Sequence, residues 1–201
     1  MRRGLILLLV VVGLIVLVAV TVTSQYNRLV NLQEGVTAQW ANVESSYQRR
    51  ADLIPNLVAT VRGSAQFEQE TLRQVVEARS RVGQVSAQAG ADIVDDPQRF
   101  RQFQEAQDQL SSALSRLLVV VERYPDLKST QAFRDLMPAL EGSENRINVE
   151  RNRYNQLARS FNAARRRVPT AWFVSLLGWD FPPKAYFESQ PGAATAPKVE
   201  F

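Results

Sequence analysis

The 201-residue chain contains no cysteine and no histidine. Disulfides, thiolate metal sites, cysteine nucleophiles and cysteine-linked lipids are therefore excluded. The missing imidazole removes the commonest general base near neutral pH and the commonest metal ligand. It also excludes a di-iron bundle site built on Glu-x-x-His pairs. Lysine is scarce: of 24 basic residues only Lys128, Lys184 and Lys198 are lysines, and the rest are arginines. Arginine forks suit phosphate and carboxylate recognition, but the coding bias of a GC-rich genome is the plainer source of the surplus. Against 20 acidic residues the net charge is only +4. Both signs are interspersed, so no footprint for nucleic acid forms and none is expected as a partner. Any chemistry would fall to Asp, Glu, Lys, Tyr or Ser, with no cofactor or metal set in view.

One long run carries no charge at all. After Met1-Arg2-Arg3 the chain is uncharged from Gly4 to Asn27 and apolar almost throughout from Leu5 to Val22. Eighteen residues at about 1.5 Å each cover about 27 Å, close to a bilayer core of roughly 30 Å. A secretory leader would have a shorter apolar stretch and a small-x-small cleavage site, which Ala19-Val20-Thr21 matches poorly. The expectation is an uncleaved single-pass anchor, residues 1–25. Arg2 and Arg3 on one side against Arg28 on the other put the N-terminus in the cytoplasm and the body outside the inner membrane.

The remainder reads as all-α. Apolar or small residues at Leu29, Leu32, Val36, Trp40, Val43, Tyr47, Ala51, Ile54, Val58 and Val61 keep three- and four-residue spacings, the signature of one buried helical face. Pro55 interrupts them, so a break is expected near Ala51–Pro55, as a tight reversal or a kink, with Asp52 as a cap and Asn56 as its turn partner. A second helix would place Val58, Val61, Ala65, Leu72, Val75, Val82 and Ala89 on one seam. Asp96-Pro97 is a helix start, and Phe100 to Tyr124 form a third stripe that stops before Pro125. Ser129 or Thr130 opens a fourth helix with Phe133, Leu140, Ile147, Tyr154, Phe161 and Val168 seven apart. Strict heptad spacing favours knobs-into-holes packing. The expected architecture is a transmembrane helix continuing into an antiparallel up-and-down four-helix bundle, residues 26–168.

Two groups of residues stand out from this pattern. Glu68, Arg79, Glu144 and Arg151 fall on inner-face positions, either as a buried charged layer or as seam-edge residues with solvated heads. Residues 169–188 form a Trp-rich segment after Arg165-Arg166-Arg167. Trp172, Phe173, Leu176, Leu177, Trp179 and Phe181 would make either an interfacial membrane contact or a lid on the bundle end. Residues 189–201 have the composition of a disordered tail.

Several runs resemble the LemA family. The most specific is Arg49-Arg50-Ala51-Asp52-Leu53-Ile54-Pro55-Asn56-Leu57-Val58. Others are Tyr26-Asn27-Arg28-Leu29, Glu144-Asn145-Arg146-Ile147, Arg153-Tyr154-Asn155, Phe161-Asn162 and Pro183-Lys184-Ala185-Tyr186-Phe187. The likeness covers residues 26–187 and implies a bacterial membrane protein with an N-terminal anchor and a helical bundle. It also implies, in the opposite sense to the charge rule, a small external N-terminus and a cytoplasmic body. Asn145, Asn155 and Asn162 are expected as a polar layer between helices. With no catalytic constellation, the expected function is a non-enzymatic scaffold or adaptor. Its partners would be the bilayer, further copies of itself and other membrane proteins. The alternatives are membrane remodelling through residues 172–181, or an enzyme using carboxylates or a Ser–Lys pair.

Overall fold

A computed structural model describes residues 2–63, 68–88 and 91–188, so Ala65, Ala89 and the tail expected at 189–201 lie outside it. The described residues are helical, apart from turns and an extended C-terminal segment. Helix α1 spans Arg2–Arg62, α2 Gln69–Gln88, α3 Pro97–Val121, α4 Pro125–Lys128, α5 Gln131–Arg166 and α6 Thr170–Leu177, with a 3-10 turn at Ala91–Asp95 between α2 and α3. α1 packs mainly on α5, and α2 mainly on α3. Cross-links such as Gln39 to Glu150 and Arg81 to Gln109 set both pairs antiparallel.

The apolar run Leu5–Val20 is solvent-exposed along its length, and α1 is long and apolar enough there to cross a membrane. From Leu29 onward the same helix turns one stripe inward, burying Leu29, Val36, Trp40, Val43, Tyr47, Ile54, Leu57, Val58 and Val61. The apolar run and the first stripe of the body thus lie on one continuous helix.

The reversal expected at Ala51–Pro55 does not occur; the helix continues, as the kink alternative allows. α1 runs through Pro55 to Arg62, so Val58 and Val61 belong to the first helix and the chain reverses between Arg62 and Gln69. Asp52 caps nothing; it accepts a bond from Gln48 one turn earlier, at 2.7 Å. Asn56, in turn, offers its carbonyl to the Thr60 hydroxyl rather than closing a turn. The reason is visible on both faces of the helix. Pro55 itself is exposed, while Ile54, Leu57, Val58 and Val61 stay buried across it. Proline has no N–H to give to the Ala51 carbonyl. Arg79 of α2 supplies the donor instead, its Nε lying 3.2 Å from that oxygen.

The later helix signals behave locally. Asp96 caps α3, accepting from the amides of Gln98 and Arg99 at 2.9 and 3.2 Å, with Pro97 in the first turn. Thr130 caps α5. Phe133, Leu140, Ile147, Tyr154 and Phe161 all lie in the core. Val168 does not: α5 ends at Arg166 and Val168 is exposed.

Two core clusters follow one another along the body. The distal one is mainly aliphatic: Ile54, Leu57, Val61, Val75, Leu110, Leu114, Leu117 and Leu140 lie between all four long helices. The proximal one, nearer the apolar run, holds Trp40, Tyr47, Phe100, Phe103, Tyr154, Phe161, Phe181 and Phe187. α2 and α3 meet at the level of Phe100, which packs on Trp40, and do not follow α1 down to the apolar run. The extended segment after α6 fills that space. Its residues run from Phe181, beside Tyr26, to Phe187, beside Trp40 and Phe100.

Candidate functional site

Beside the apolar run, α6 is placed by a hydrogen bond between the Thr170 hydroxyl and Gln25 of α1, at 2.9 Å. Gln25 lies three residues past Val22, so α6 sits where the apolar span of α1 ends. Gly178, with φ of 62°, closes the helix in the left-handed conformation that glycine adopts freely. Beyond it Trp179 and Phe181 turn inward onto Tyr26, with ring centroids 5.1 and 5.5 Å away. Phe173 is half-buried, its ring 5.9 Å from Trp179. Trp172, Leu176 and Leu177 stay outside, at 60%, 80% and 54% exposure. The segment therefore divides: Trp179 and Phe181 form a lid, and α6 offers an apolar face beside exposed Arg166 and Arg167. Arg165 instead holds the lid, its Nε 2.5 Å from the Phe181 carbonyl.

The extended segment is fastened by side chains, not by a sheet. Asn162 donates to the Lys184 carbonyl at 2.8 Å and accepts from the Lys184 N–H at 2.9 Å. Asn155 does the same for Phe187, at 2.9 Å in both directions. Gln104 of α3 repeats the pattern on Glu188, at 3.0 and 3.1 Å. Tyr154 donates to the Ala185 carbonyl, and the Ala185 N–H reaches Val94 in the 3-10 turn. Lys184 is buried against Asp95 and lies over the Phe161 ring. Asn155 and Asn162 are thus clamps on an extended strap rather than an interhelical polar layer, while Asn145 is exposed. The strap carries no periodicity, which is why sequence patterning alone misses it.

Midway along the body, between α3 and α5, lies a polar groove of about 720 Å³. Its floor is Tyr47 and Arg50 of α1; its walls include Gln107, Asp108, Ser111, Glu144, Asn148, Arg151 and Asn155. Arg50, only 1% exposed, was legible as a motif residue but not as a core residue. Its guanidinium donates to Glu144 at 2.5 Å, Ser111 at 2.6 Å and the Gln107 side chain at 2.6 Å. Such charge-assisted bonds are what make a buried guanidinium tolerable. Its neighbour Arg49 points to solvent.

The four expected seam residues separate. Glu68 is exposed and pairs with Arg123 at 3.3 Å. Arg79 is exposed and serves the Pro55 gap. Both lie outside the core because charged heads on this part of the bundle reach water more cheaply than partners. Glu144 and Arg151 are brought into the groove, Glu144 on Arg50 and Arg151 between Asp108 at 3.6 Å and the Phe187 ring at 4.5 Å. A buried pair missed by periodicity is Gln39 with Glu150, at 2.7 Å. Burial pushes the Tyr47 phenol up to about 12, with Arg151 and Arg50 opposing, and its hydroxyl has no hydrogen-bond partner among the described residues. Burial likewise raises the Tyr154 phenol, reinforced by the charge of Asp95. Among the described residues no three acidic side chains gather in a metal-ligating cluster. Two carboxylates in the groove are matched by arginines, Glu144 by Arg50 and Asp108 by Arg151.

Fold and surfaces together define an all-α protein whose body is built on the same helix as an apolar, membrane-length N-terminal segment. The chain belongs to the LemA family, whose match covers residues 39–201. It is similar to the magnetosome protein MamQ of Magnetospirillum gryphiswaldense, 27% identical over 211 residues, spanning 97% of this chain and 77% of that protein. The magnetosome protein MamQ 2 of Paramagnetospirillum magneticum is 27% identical over 209 residues, 96% and 76% of the two chains. Protein LemA of Metamycoplasma hominis is 23% identical over 146 residues, spanning 73% of this chain and 60% of that protein.

Proposed function

We propose that this protein is a non-enzymatic, membrane-tethered scaffold or adaptor that self-associates at the bacterial inner membrane, with its body on the extracytoplasmic side. The observation that carries this reading is the unbroken α1, which joins the exposed apolar run Leu5–Val20 to the core stripe from Leu29 to Val61 without a linker. A body attached in this way holds a fixed attitude to the bilayer, as a scaffold requires and a freely diffusing domain does not. α6 braces the junction, its Trp172, Leu176 and Leu177 suited to the interfacial zone where aromatic and aliphatic side chains gain by partial insertion. Arg166 and Arg167 would add attraction to anionic headgroups. The flanking charges Arg2 and Arg3 favour an extracytoplasmic body.

The absence of cysteine makes a clean test possible, because a single introduced thiol is the only one present. The exposed Glu141→Cys variant is labelled in two pools, with donor and acceptor dyes, and co-reconstituted in phosphatidylethanolamine–phosphatidylglycerol vesicles. Energy transfer above the level of random dilution is expected. Transfer at the random level at every protein density would remove self-association. A second reading, membrane remodelling through residues 172–181, draws on the outward face of α6 alone, because Trp179 and Phe181 are occupied with Tyr26. Unchanged vesicle shape with wild-type chain and with Trp172→Ser alike counts against it.

A further inference from the structure

We propose that the groove between α3 and α5 is a binding site for a small, uncharged, polyhydroxylated molecule of the sugar type. Two groups on the groove floor are left unsatisfied by the fold. Arg50 engages Ser111, Glu144 and Gln107 through its two Nη groups, and its buried Nε has no acceptor among the described residues. One helical turn earlier, the Tyr47 hydroxyl is likewise buried and unpartnered. The two side chains are in contact, the guanidinium carbon lying 5.3 Å from the centre of the Tyr47 ring. Tyr47 and Arg50 are only 4% and 1% exposed, and both line the groove. Buried polar groups are almost always hydrogen-bonded, and leaving them unpaired is costly.

The size of the groove points past a single water. One water takes about 30 Å³ of liquid volume, whereas small-molecule sites run to roughly 300–1,000 Å³. At about 720 Å³ this groove falls among the latter. Above the floor, the walls carry further free groups. Asn148 and Asn152 line the groove, are exposed, and make no side-chain hydrogen bond among the described residues.

The ligand class follows from charge and from hydrogen-bond sense. Glu144 answers Arg50 and Asp108 answers Arg151. Arg159 and Glu188, the remaining charged residues lining the groove, also balance one another in sign. The groove therefore favours neither an anion nor a cation. Its free floor groups need acceptors, since Arg50 Nε can only donate, while the carboxamides of the walls offer donors and acceptors together. An alcohol oxygen both accepts and donates. It can take a bond from Arg50 Nε or Tyr47 and return one to a carboxamide oxygen. A sugar ring repeats this group at fixed spacing and loses little conformational freedom on binding. Every group invoked belongs to α1, α3, α5 or the strap as far as Glu188. The site goes beyond the scaffold reading, which needs no ligand.

The test uses the full chain in an amine-oxide detergent, which carries no sugar. Glucose, galactose, mannose, N-acetylglucosamine and their disaccharides are titrated by isothermal calorimetry, with glucuronate and inorganic phosphate as charged controls. At least one neutral saccharide is expected to bind, at least tenfold more tightly than either control. Tyr47→Phe removes the floor hydroxyl and keeps the ring, and Asn148→Leu alters an exposed wall residue. Each should weaken saccharide binding at least fivefold, with folding checked by circular dichroism; Asn148→Leu decides alone if Tyr47→Phe does not fold. The exposed Glu141→Gln, outside the groove, should bind like wild type. Three results overturn the proposal: no neutral saccharide binds, a charged control binds as tightly, or binding is unchanged in folded Tyr47→Phe and Asn148→Leu. Saccharide binding that appears only after the chain is cut beyond Glu188 assigns the groove to the chain's own later residues and overturns it as well. Self-association is read separately by energy transfer, so a failure here with transfer intact removes the sugar site alone.

Discussion

The two halves of the body solve the same packing problem with different materials. Distally, four helices surround Leu, Ile and Val side chains, and periodic burial supplies the cohesion. Toward the apolar run only α1 and α5 continue, and two helices cannot enclose a core. There the strap stands in for the missing pair, contributing Phe181, Lys184 and Phe187 and a row of backbone groups held by Asn155, Asn162 and Gln104. Aromatic rings suit this half because each covers a large area, and edge-to-face contacts such as Trp40 with Phe103 and Tyr154 add specificity. The difference teaches that a bundle can taper from four helices to two, provided an irregular segment has its polar backbone satisfied by side chains.

The sharpest way to break the comparison is Phe187→Ala. Phe187 packs on Trp40, Phe100 and Tyr154 and lies under the Arg151 guanidinium. Loss of a buried phenylalanine costs about 3–5 kcal/mol, measurable by denaturant unfolding. Hydrogen exchange should show protection lost around Trp40 and Tyr154 but retained at Leu110 and Leu117. Equal loss in both clusters would make the body one cooperative unit.

Alkaline pH should separate the halves as well. Tyr47 and Tyr154, both in the proximal cluster, have phenols raised by burial. A raised phenol leaves the folded state neutral while the unfolded chain ionises from about pH 10 upward. The stability contributed by burial is thus complete below pH 10 and is lost as pH rises through about 12, the value for Tyr47. Two units correspond to about 3 kcal/mol. Tyr47→Phe should flatten part of that decline in pH-dependent melts. An unchanged profile would place the hydroxyl in contact with water.

The smallest effect lies in the distal half, at Pro55. If Arg79 compensates for the missing amide, Arg79→Met costs about 1 kcal/mol, the worth of one hydrogen bond. In a Pro55→Ala background, where residue 55 can donate to Ala51 itself, the same change should cost close to nothing. A double-mutant cycle by denaturant unfolding measures the coupling, and strictly additive effects would refute it.

Much of the fold was readable before any coordinates. The apolar run, the Asp96-Pro97 start, the Thr130 cap and the ladder from Phe133 to Phe161 each depend on residues within a few turns of one another, so local patterning reports them. Read locally, Pro55 allows a reversal or a kinked but continuous helix; the burial of Ile54, Leu57, Val58 and Val61 and a donor from α2 decide for continuity. The polar seam was half legible. Periodicity placed Glu144 and Arg151 toward the interior, but could not tell an edge from a centre at Glu68 and Arg79. Arg50 went unseen as a core residue because burying a guanidinium requires partners from two other helices, at Gln107, Ser111 and Glu144.

By itself, the sequence determined what is written at short range: an anchor without charges, helices with starts and stops, and an inward stripe on each. The tertiary structure alone decided that α1 passes Pro55 without reversing, that α2 and α3 stop short, and that residues 178–188 close the gap. The physical reason is that a helix satisfies its backbone within four residues, whereas an extended strap must borrow every partner from elsewhere in the chain. Asn155 and Asn162 supply those partners from 32 and 22 residues away, and Gln104 from 84.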